Sequence, residues 1–136
     1  MAGWNEPIIR EFRENGGKVG HAFAGRTLLL LHHRGAHSGV ERVNPLAYQD
    51  LGKGSVAVFA SKGGAPTNPD WYFNLLANPE VTVEVGTETY AGRARLAEDD
   101  ERTEIWERQK AMWPGFADYE KKTSRTIPVF VIDRSA

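Results

Sequence analysis

An antiparallel β-barrel with added helices is the fold class this chain predicts, and three observations point to it. Short runs that are apolar or that alternate apolar with polar recur at 28–31, 56–60, 81–85 and 127–132, each bounded by turn residues. The first three strand candidates follow one another across short turns, which makes a meander. One helical stretch is inserted mid-chain and others precede the last strand, so six strands carry helical additions.

Taken in order, residues 4–14 predict a helix, because Trp4, Ile8, Ile9 and Phe12 share one side at spacings of four and three. Glu6, Arg10, Glu11, Arg13 and Glu14 fill the rest. That mixed charge favours a helix packed on the body of the domain over a lid or a membrane-surface helix, which carries a basic excess. Gly16-Gly17 end it. Residues 27–33 predict a strand buried on both faces. His32 and His33 then point to opposite faces and are poorly placed to share a metal ion. With no thiolate and no helical histidine pair, no metal site is expected. Residues 34–39 read as a turn and 41–48 as the next strand, with Pro45 marking an edge or a bulge. After a second turn at 50–54 comes a third strand at 55–60, with Val56, Val58 and Ala60 on one face and Ala57 and Phe59 on the other.

The stretch 60–74 follows. Ser61-Lys62-Gly63-Gly64 leads into a short helix with Asn68 as N-cap and Pro69 at its first position. The helix is expected to stop near Asn78-Pro79, since asparagine tolerates a left-handed terminus and proline cannot continue a helix. Paired glycines let backbone approach a ligand, and Lys62 and the helix start both favour an anion. The spacing is neither a P-loop nor G-x-G-x-x-G, so on its own it describes a capped strand-to-helix turn with a solvated lysine equally well. Beyond it, Val81, Val83 and Val85 alternate with polar residues, 86–88 turns the chain, and 89–96 returns it. A helix from Asp99 has acidic residues in its first turn and Arg108-Gln109-Lys110 near its end, matching the helix dipole. Ile105, Trp106, Met112 and Trp113 are expected to pack inward. Pro114-Gly115 break that helix, 116–122 is a further helical stretch, and 127–132 is the closing strand.

The length of 136 residues suits one domain, here 27–136, preceded by a helix and linker at 1–26. Cysteine is absent, which excludes disulfides, a thiol nucleophile and a thiolate metal site and fits a cytosolic protein. The net charge of −1 offers no bulk attraction to nucleic acid. The halves differ, however: residues 1–68 carry eight Lys/Arg against five Asp/Glu, and 69–136 carry nine against thirteen. A modestly basic first half suits a small anionic ligand. No signal-peptide pattern shows in the first twenty residues, and the longest aliphatic run, 28–31, is far too short to span a bilayer.

Five segments in order, Gly39-Val40-Glu41-Arg42-Val43-Asn44-Pro45-Leu46, Ala60-Ser61-Lys62-Gly63-Gly64-Ala65, Trp71-Tyr72-Phe73-Asn74-Leu75, Ala77-Asn78-Pro79 and Arg125-Thr126-Ile127-Pro128, resemble the deazaflavin-dependent nitroreductase family, the quinone- and nitro-reductase branch of the split-barrel F420 oxidoreductases. The resemblance covers roughly residues 27–134 and implies an FMN-binding split-barrel-like fold and coenzyme F420, a hydride carrier with a phosphate and an acidic glutamate tail. It implies phosphate contacts from Arg42 and Lys62, and a loop of Phe59, Ala60, Ser61, Gly63 and Gly64 along the deazaflavin. It further implies cofactor contacts from Asn44 and from the helix entry at Asp70, Trp71, Tyr72 and Asn74. The first turn departs from the family's Gly-Arg-Lys-Ser/Thr-Gly: here it is Gly35-Ala36-His37-Ser38-Gly39. His37, Ser38 and Gly39 keep the positions with less positive charge, and Arg34 is the nearest substitute. On the substrate side the matching positions are Trp113, Phe116 and Tyr119; Phe116 has no hydroxyl, which leaves Tyr119 as the catalytic phenol. The same aromatics could equally close the barrel mouth.

The function implied is hydride transfer from reduced F420 to an electron-poor small molecule: a quinone, an activated alkene or a nitroaromatic. Two other readings stay open, a non-catalytic carrier of F420 or of a lipid-like ligand, and an FMN-dependent split-barrel oxidoreductase. The expected setting is cytoplasmic, as a monomer or homodimer, with peripheral contact at the inner membrane face through 4–12 as the lesser alternative.

Overall fold

The computed structural model describes residues 2–14, 28–61 and 67–135, with side chains from residue 7 onward. The strands are β1 (Leu28–Arg34), β2 (Glu41–Gly52), β3 (Ser55–Phe59), β4 (Glu80–Val85), β5 (Glu88–Leu96) and β6 (Val129–Arg134). The helices are α1 (Ala2–Glu14), α2 (Asp70–Ala77), α3 (Asp99–Met112) and α4 (Gly115–Lys122). The strands close into an antiparallel barrel in the order β1-β2-β3-β6-β5-β4.

Period-two alternation sorts the side chains into an interior and two covered outer faces. Leu29, Leu31, Val56, Val58, Val83 and Phe130 fill the interior, and Trp71 and Leu75 of α2 join them. Trp71 packs on Phe130 with ring centroids 5.9 Å apart. Leu28 and Leu30 face outward yet are fully buried, because Phe12 of α1 covers them with Ile8 and Ile9 alongside. Full burial of a leucine is worth ~1.5–3 kcal/mol, so α1 is bound to the barrel by its apolar side. That is the packed-helix reading. Ala57 and Phe59 face outward under Ile105 and Trp106 of α3 and Phe116 of α4. A charged cluster also secures α1. Arg13 donates to both oxygens of Glu84, at 3.1 and 2.7 Å, and His32 Nε2 lies 2.6 Å from Glu84 Oε2.

β2 serves two neighbours in succession. β1 pairs with it from Glu41 to Ala47, and β3 pairs with it only from Tyr48 to Gly52. The half of β2 nearer Glu41 therefore has an edge that β3 does not reach. Pro45 lies on that half, where a missing donor is tolerated. The irregularity of β2 is elsewhere, at Asp50–Gly52, where the chain turns through Gly52, Lys53 and Gly54 with φ of 79°, 54° and 82°.

Three local expectations give way. Asn68 does not cap α2: the cap residue is Pro69, extended and without a side-chain hydrogen bond, and Asp70 is the first helical residue. Asn68 Oδ1 instead accepts from Arg125 Nη1 at 2.7 Å, and a guanidinium is a stronger donor than a helix N–H. Asn78 does end α2, but at φ −133° rather than in the left-handed region. Met112, the last residue of α3, is 54% exposed, and Trp113 turns out of the helix to pack on the barrel in its place.

Two outcomes test this packing. A Cβ on Gly92 would stand 2.7 Å from Ile132 Cγ2 and 3.0 Å from the Asp133 carbonyl, so Gly92→Ala forces β5 and β6 apart. A loss of ~1–3 kcal/mol is expected in urea denaturation, and an unchanged midpoint would refute it. The Glu84 carboxyl is held below the usual carboxylate range, chiefly by the Arg13 hydrogen bond and further by His32. A depressed acid stabilises the fold fully above the unfolded value, ~4.3, and loses that effect as pH falls through the folded value. The stability gap between wild type and Glu84→Gln should therefore be widest above that value and close in acid.

Candidate active site

The unreached half of β2 carries Arg42 and Asn44, and β1 places His33 directly across from Arg42. His33 is 2% exposed and sits in a chain of amides. Its Nε2 is 2.7 Å from Asn44 Oδ1, and its Nδ1 is 3.1 Å from Asn74 Nδ2 on α2. Asn74 Oδ1 in turn accepts the Ala36 N–H at 2.8 Å. That last bond settles the chemistry of the ring. An Asn74 oxygen occupied by a backbone donor leaves its NH2 toward His33, so Nδ1 must accept and Nε2 must carry the hydrogen. Burial holds the His33 pKa below its ordinary value, and the charges of Arg42 and His32 lower it further against the opposing pull of Asn44. The result is a neutral, single-tautomer imidazole that fixes the Asn44 amide with its oxygen engaged. Asn44 Nδ2 has no partner among the described residues.

Arg42 brings a cation to the same end. Arg42 is exposed and makes no ion pair among the described residues, whereas Arg13, Arg93, Arg95 and Arg134 each meet a carboxylate. The neighbouring β1–β2 turn is braced by its own residues. Arg34 Nη1 donates to the Gly39 carbonyl at 3.2 Å, and Ser38 Oγ accepts the Val40 N–H at 3.2 Å. His37, Ser38 and Gly39 are exposed. Arg34 is thus turned onto the turn it was expected to supplement.

A second wall is aromatic. Phe116 is its hub, with ring centroids 5.4 Å from Phe59, 5.3 Å from Trp113 and 5.2 Å from Tyr119, all edge-on. Trp106 closes the cluster from α3, and its Nε1 donates to Glu120 at 2.8 Å, with Lys110 bridging to the same carboxylate at 3.0 Å. Phe116 is 4% exposed and lies inside the wall, so Trp113 and Tyr119, both half-buried, carry its accessible surface. The Tyr119 hydroxyl has no hydrogen-bond partner among the described residues.

The remaining predicted residues divide. Ser61 is buried, directly after β3, and its carbonyl accepts from Arg125. Asp70 is exposed at the start of α2, and Tyr72 is half-buried, edge-on to Phe73 at 4.9 Å and Phe130 at 5.7 Å. Ala60 and Trp71 face the barrel interior, and Phe59 lies beneath the aromatic wall. Lys62, Gly63 and Gly64 lie outside the described residues. Two organising residues were given no site role in the sequence: Arg125, quoted only within a resembling segment, and His33. His33 was weighed only as a metal ligand, although its inward parity after Leu29 and Leu31 signalled a buried, hydrogen-bonded ring. Among the described residues no group of His, Asp and Glu could hold a metal ion, and no helix is long and apolar enough to cross a membrane.

Comparison with known proteins is consistent across three kinds of match. A family model described as F420H(2)-dependent quinone reductase matches residues 6–134. An F420H(2)-dependent quinone reductase of Mycobacterium tuberculosis is 35% identical over 127 residues, which cover 90% of this chain and 85% of that protein. A solved F420-H2 dependent reductase superposes with a TM-score of 0.72 at 40% identity, over 78% of this chain and 93% of the other. A second solved structure, a domain-swapped dimer, gives 0.75 at 36% identity over 97% and 98%.

Asn74→Ala strands both His33 Nδ1 and the Ala36 N–H, and a loss of ~1–3 kcal/mol is expected by chemical denaturation. In the wild type, nitrogen NMR should find His33 as the Nε2–H tautomer and still neutral at a pH where free imidazole, at ~6.5, is half-charged. A ring that titrates like free imidazole would contradict this network.

Proposed function

Because the chain belongs to the F420H(2)-dependent quinone reductase family, we propose that it transfers a hydride from reduced coenzyme F420 to quinones, with activated alkenes and nitroaromatics as further acceptors, at the half of β2 that β3 does not reach. The observation that carries this reading is Arg42, a guanidinium without a carboxylate partner among the described residues, beside an Asn44 amide whose donors are aimed by a buried neutral histidine. A cation and an amide donor fit the phosphate and acidic tail of F420. They also favour an anionic ligand over a neutral lipid.

When bound, F420 supplies the hydride; the protein supplies binding, orientation and exclusion of water. Arg42 offers the charge for the phosphate. Lys62, which follows Ser61 in the sequence, adds a second cation, with Gly63 and Gly64 allowing close approach of the chain. Asn44 Nδ2 would be the amide donor toward the bound cofactor, and the neutral His33 behind it would add no buried charge to the site. Ser38 and His37 extend the polar end on the exposed turn. Trp113 and Tyr119 give a flat electron acceptor an apolar surface, held from behind by Phe116 and Phe59. Tyr119 holds a phenolic proton for the oxygen of the reduced quinone.

Titration of the purified protein with F420 and, in parallel, with FMN tests the reading. F420 should bind and FMN should not. Arg42→Ala should weaken F420 by about tenfold or more, as expected for loss of a charged hydrogen bond, and combination with Lys62→Ala should abolish binding. Tyr119→Phe should lower kcat with a quinone while leaving the F420 affinity unchanged. A wild-type protein that takes up FMN and ignores F420 would end this reading.

A further inference from the structure

We propose that Arg125 is a positioning residue for the cofactor, a clamp that ties the end of β3 at Ser61 to the approach of α2 at Asn68, the helix whose Asn74 orients His33 and Asn44. The proposal rests on the F420 reading above. Arg125 Nη2 donates to the Ser61 carbonyl at 2.9 Å, and Nη1 donates to Asn68 Oδ1 at 2.7 Å. One planar group thereby ties the end of β3 to the approach of α2, at two points seven positions apart in the chain. Both partners are charge-assisted acceptors, and a guanidinium fork can satisfy two of them at once where an ammonium cannot hold the same geometry.

The clamp stands on a rigid base. Arg102 of α3 donates twice to the Ile127 carbonyl, at 3.2 and 2.6 Å, and Ile127 is 1% exposed. The Ala60 N–H donates to the Pro128 carbonyl at 3.0 Å, so the segment carrying Arg125 is laced to β3 next to Ser61. At the other end, α2 carries Asn74, which orients His33 and through it Asn44. Arg125 thus fixes the end of β3 at Ser61 relative to the approach of α2 at Asn68. It acts through these segments, and its expected signature is in cofactor affinity rather than in the acceptor step.

The test uses full-length Arg125→Ala, Arg125→Lys and Asn68→Ala, with the exposed β5 residue Arg93→Ala as control. F420 affinity, KM for reduced F420, KM for the quinone, kcat and thermal midpoint are measured for each. Arg125→Ala should raise the F420 dissociation constant and the KM for reduced F420 by about tenfold or more, leaving the quinone KM and the kcat at saturating F420 near wild type. Arg125→Lys should fall between, and Asn68→Ala should weaken F420 in the wild type but add little in the Arg125→Ala background. If Arg125→Ala fails to fold, Asn68→Ala must show the same split between the two KM values. The proposal is overturned if wild type binds F420 and the Arg125 and Asn68 variants bind it equally well, or if both KM values rise and kcat falls together with the thermal midpoint. Wild type failing to bind F420 at all sinks the F420 reading itself, and the clamp with it.

Discussion

The barrel depends on β2 changing partners at Ala47 and Tyr48. A strand that hydrogen-bonded β1 and β3 along its whole length would close the wall completely and leave no main-chain edge near Arg42 and Asn44. By giving seven residues to β1 and the remainder to β3, β2 keeps the barrel closed and still leaves an edge that β3 does not reach. The outer faces of the closed barrel are covered around that edge. α1 covers the outer leucines of β1 on one side, and α3 with α4 cover β3 and β6 on the other. Trp113 packs against both outer clusters and so spans the distance between them.

Beside that edge, order comes from buried and half-buried polar groups. A histidine with both ring nitrogens engaged and no charge is inexpensive to bury, whereas the protonated ring would confront the Asn74 NH2 and lose a partner. The same logic applies to Arg125, which places a permanent charge against a carbonyl and an amide oxygen where burial works against it. Each group joins elements that share no strand ladder: β1 to β2 and α2 in the first case, and the residues before β6 to the end of β3 and the start of α2 in the second. Fixing α2 at both its beginning and its middle positions the apolar residues Trp71 and Leu75 in the barrel end.

Much of the fold was legible because its periodicity is clean. Four consecutive leucines before a histidine pair imply a strand covered on both faces, and α1 supplies the second cover. Val56, Val58 and Ala60 separate from Ala57 and Phe59 as alternation requires, one set to the interior and the other under the helices. Reading failed where an element ends. Met112 keeps the helical spacing of Ile105 and Trp106, but the helix stops at that residue and the chain turns, so Trp113 takes the inner position. Asn68 has the chemistry of a cap and is claimed by a guanidinium from elsewhere in the chain. For the candidate site the family resemblance implied a set of positions, and the fold decides which of them face outward. Ala60 and Trp71 belong to the core, and Phe116 is the support of the aromatic wall instead of its face.

By itself, the order of residues determined the strands, the helices, the absence of thiol chemistry and the side of each strand that is apolar. These follow from local stereochemistry, since alternation and helical spacing are properties of neighbours in the chain. Only the tertiary structure decided which polar groups meet. Asn74 reaches His33 across 41 positions and Arg125 reaches Ser61 across 64. A hydrogen bond at such separation leaves no trace in the spacing of either segment, because its partner is chosen by how the strands register and not by the residues beside it.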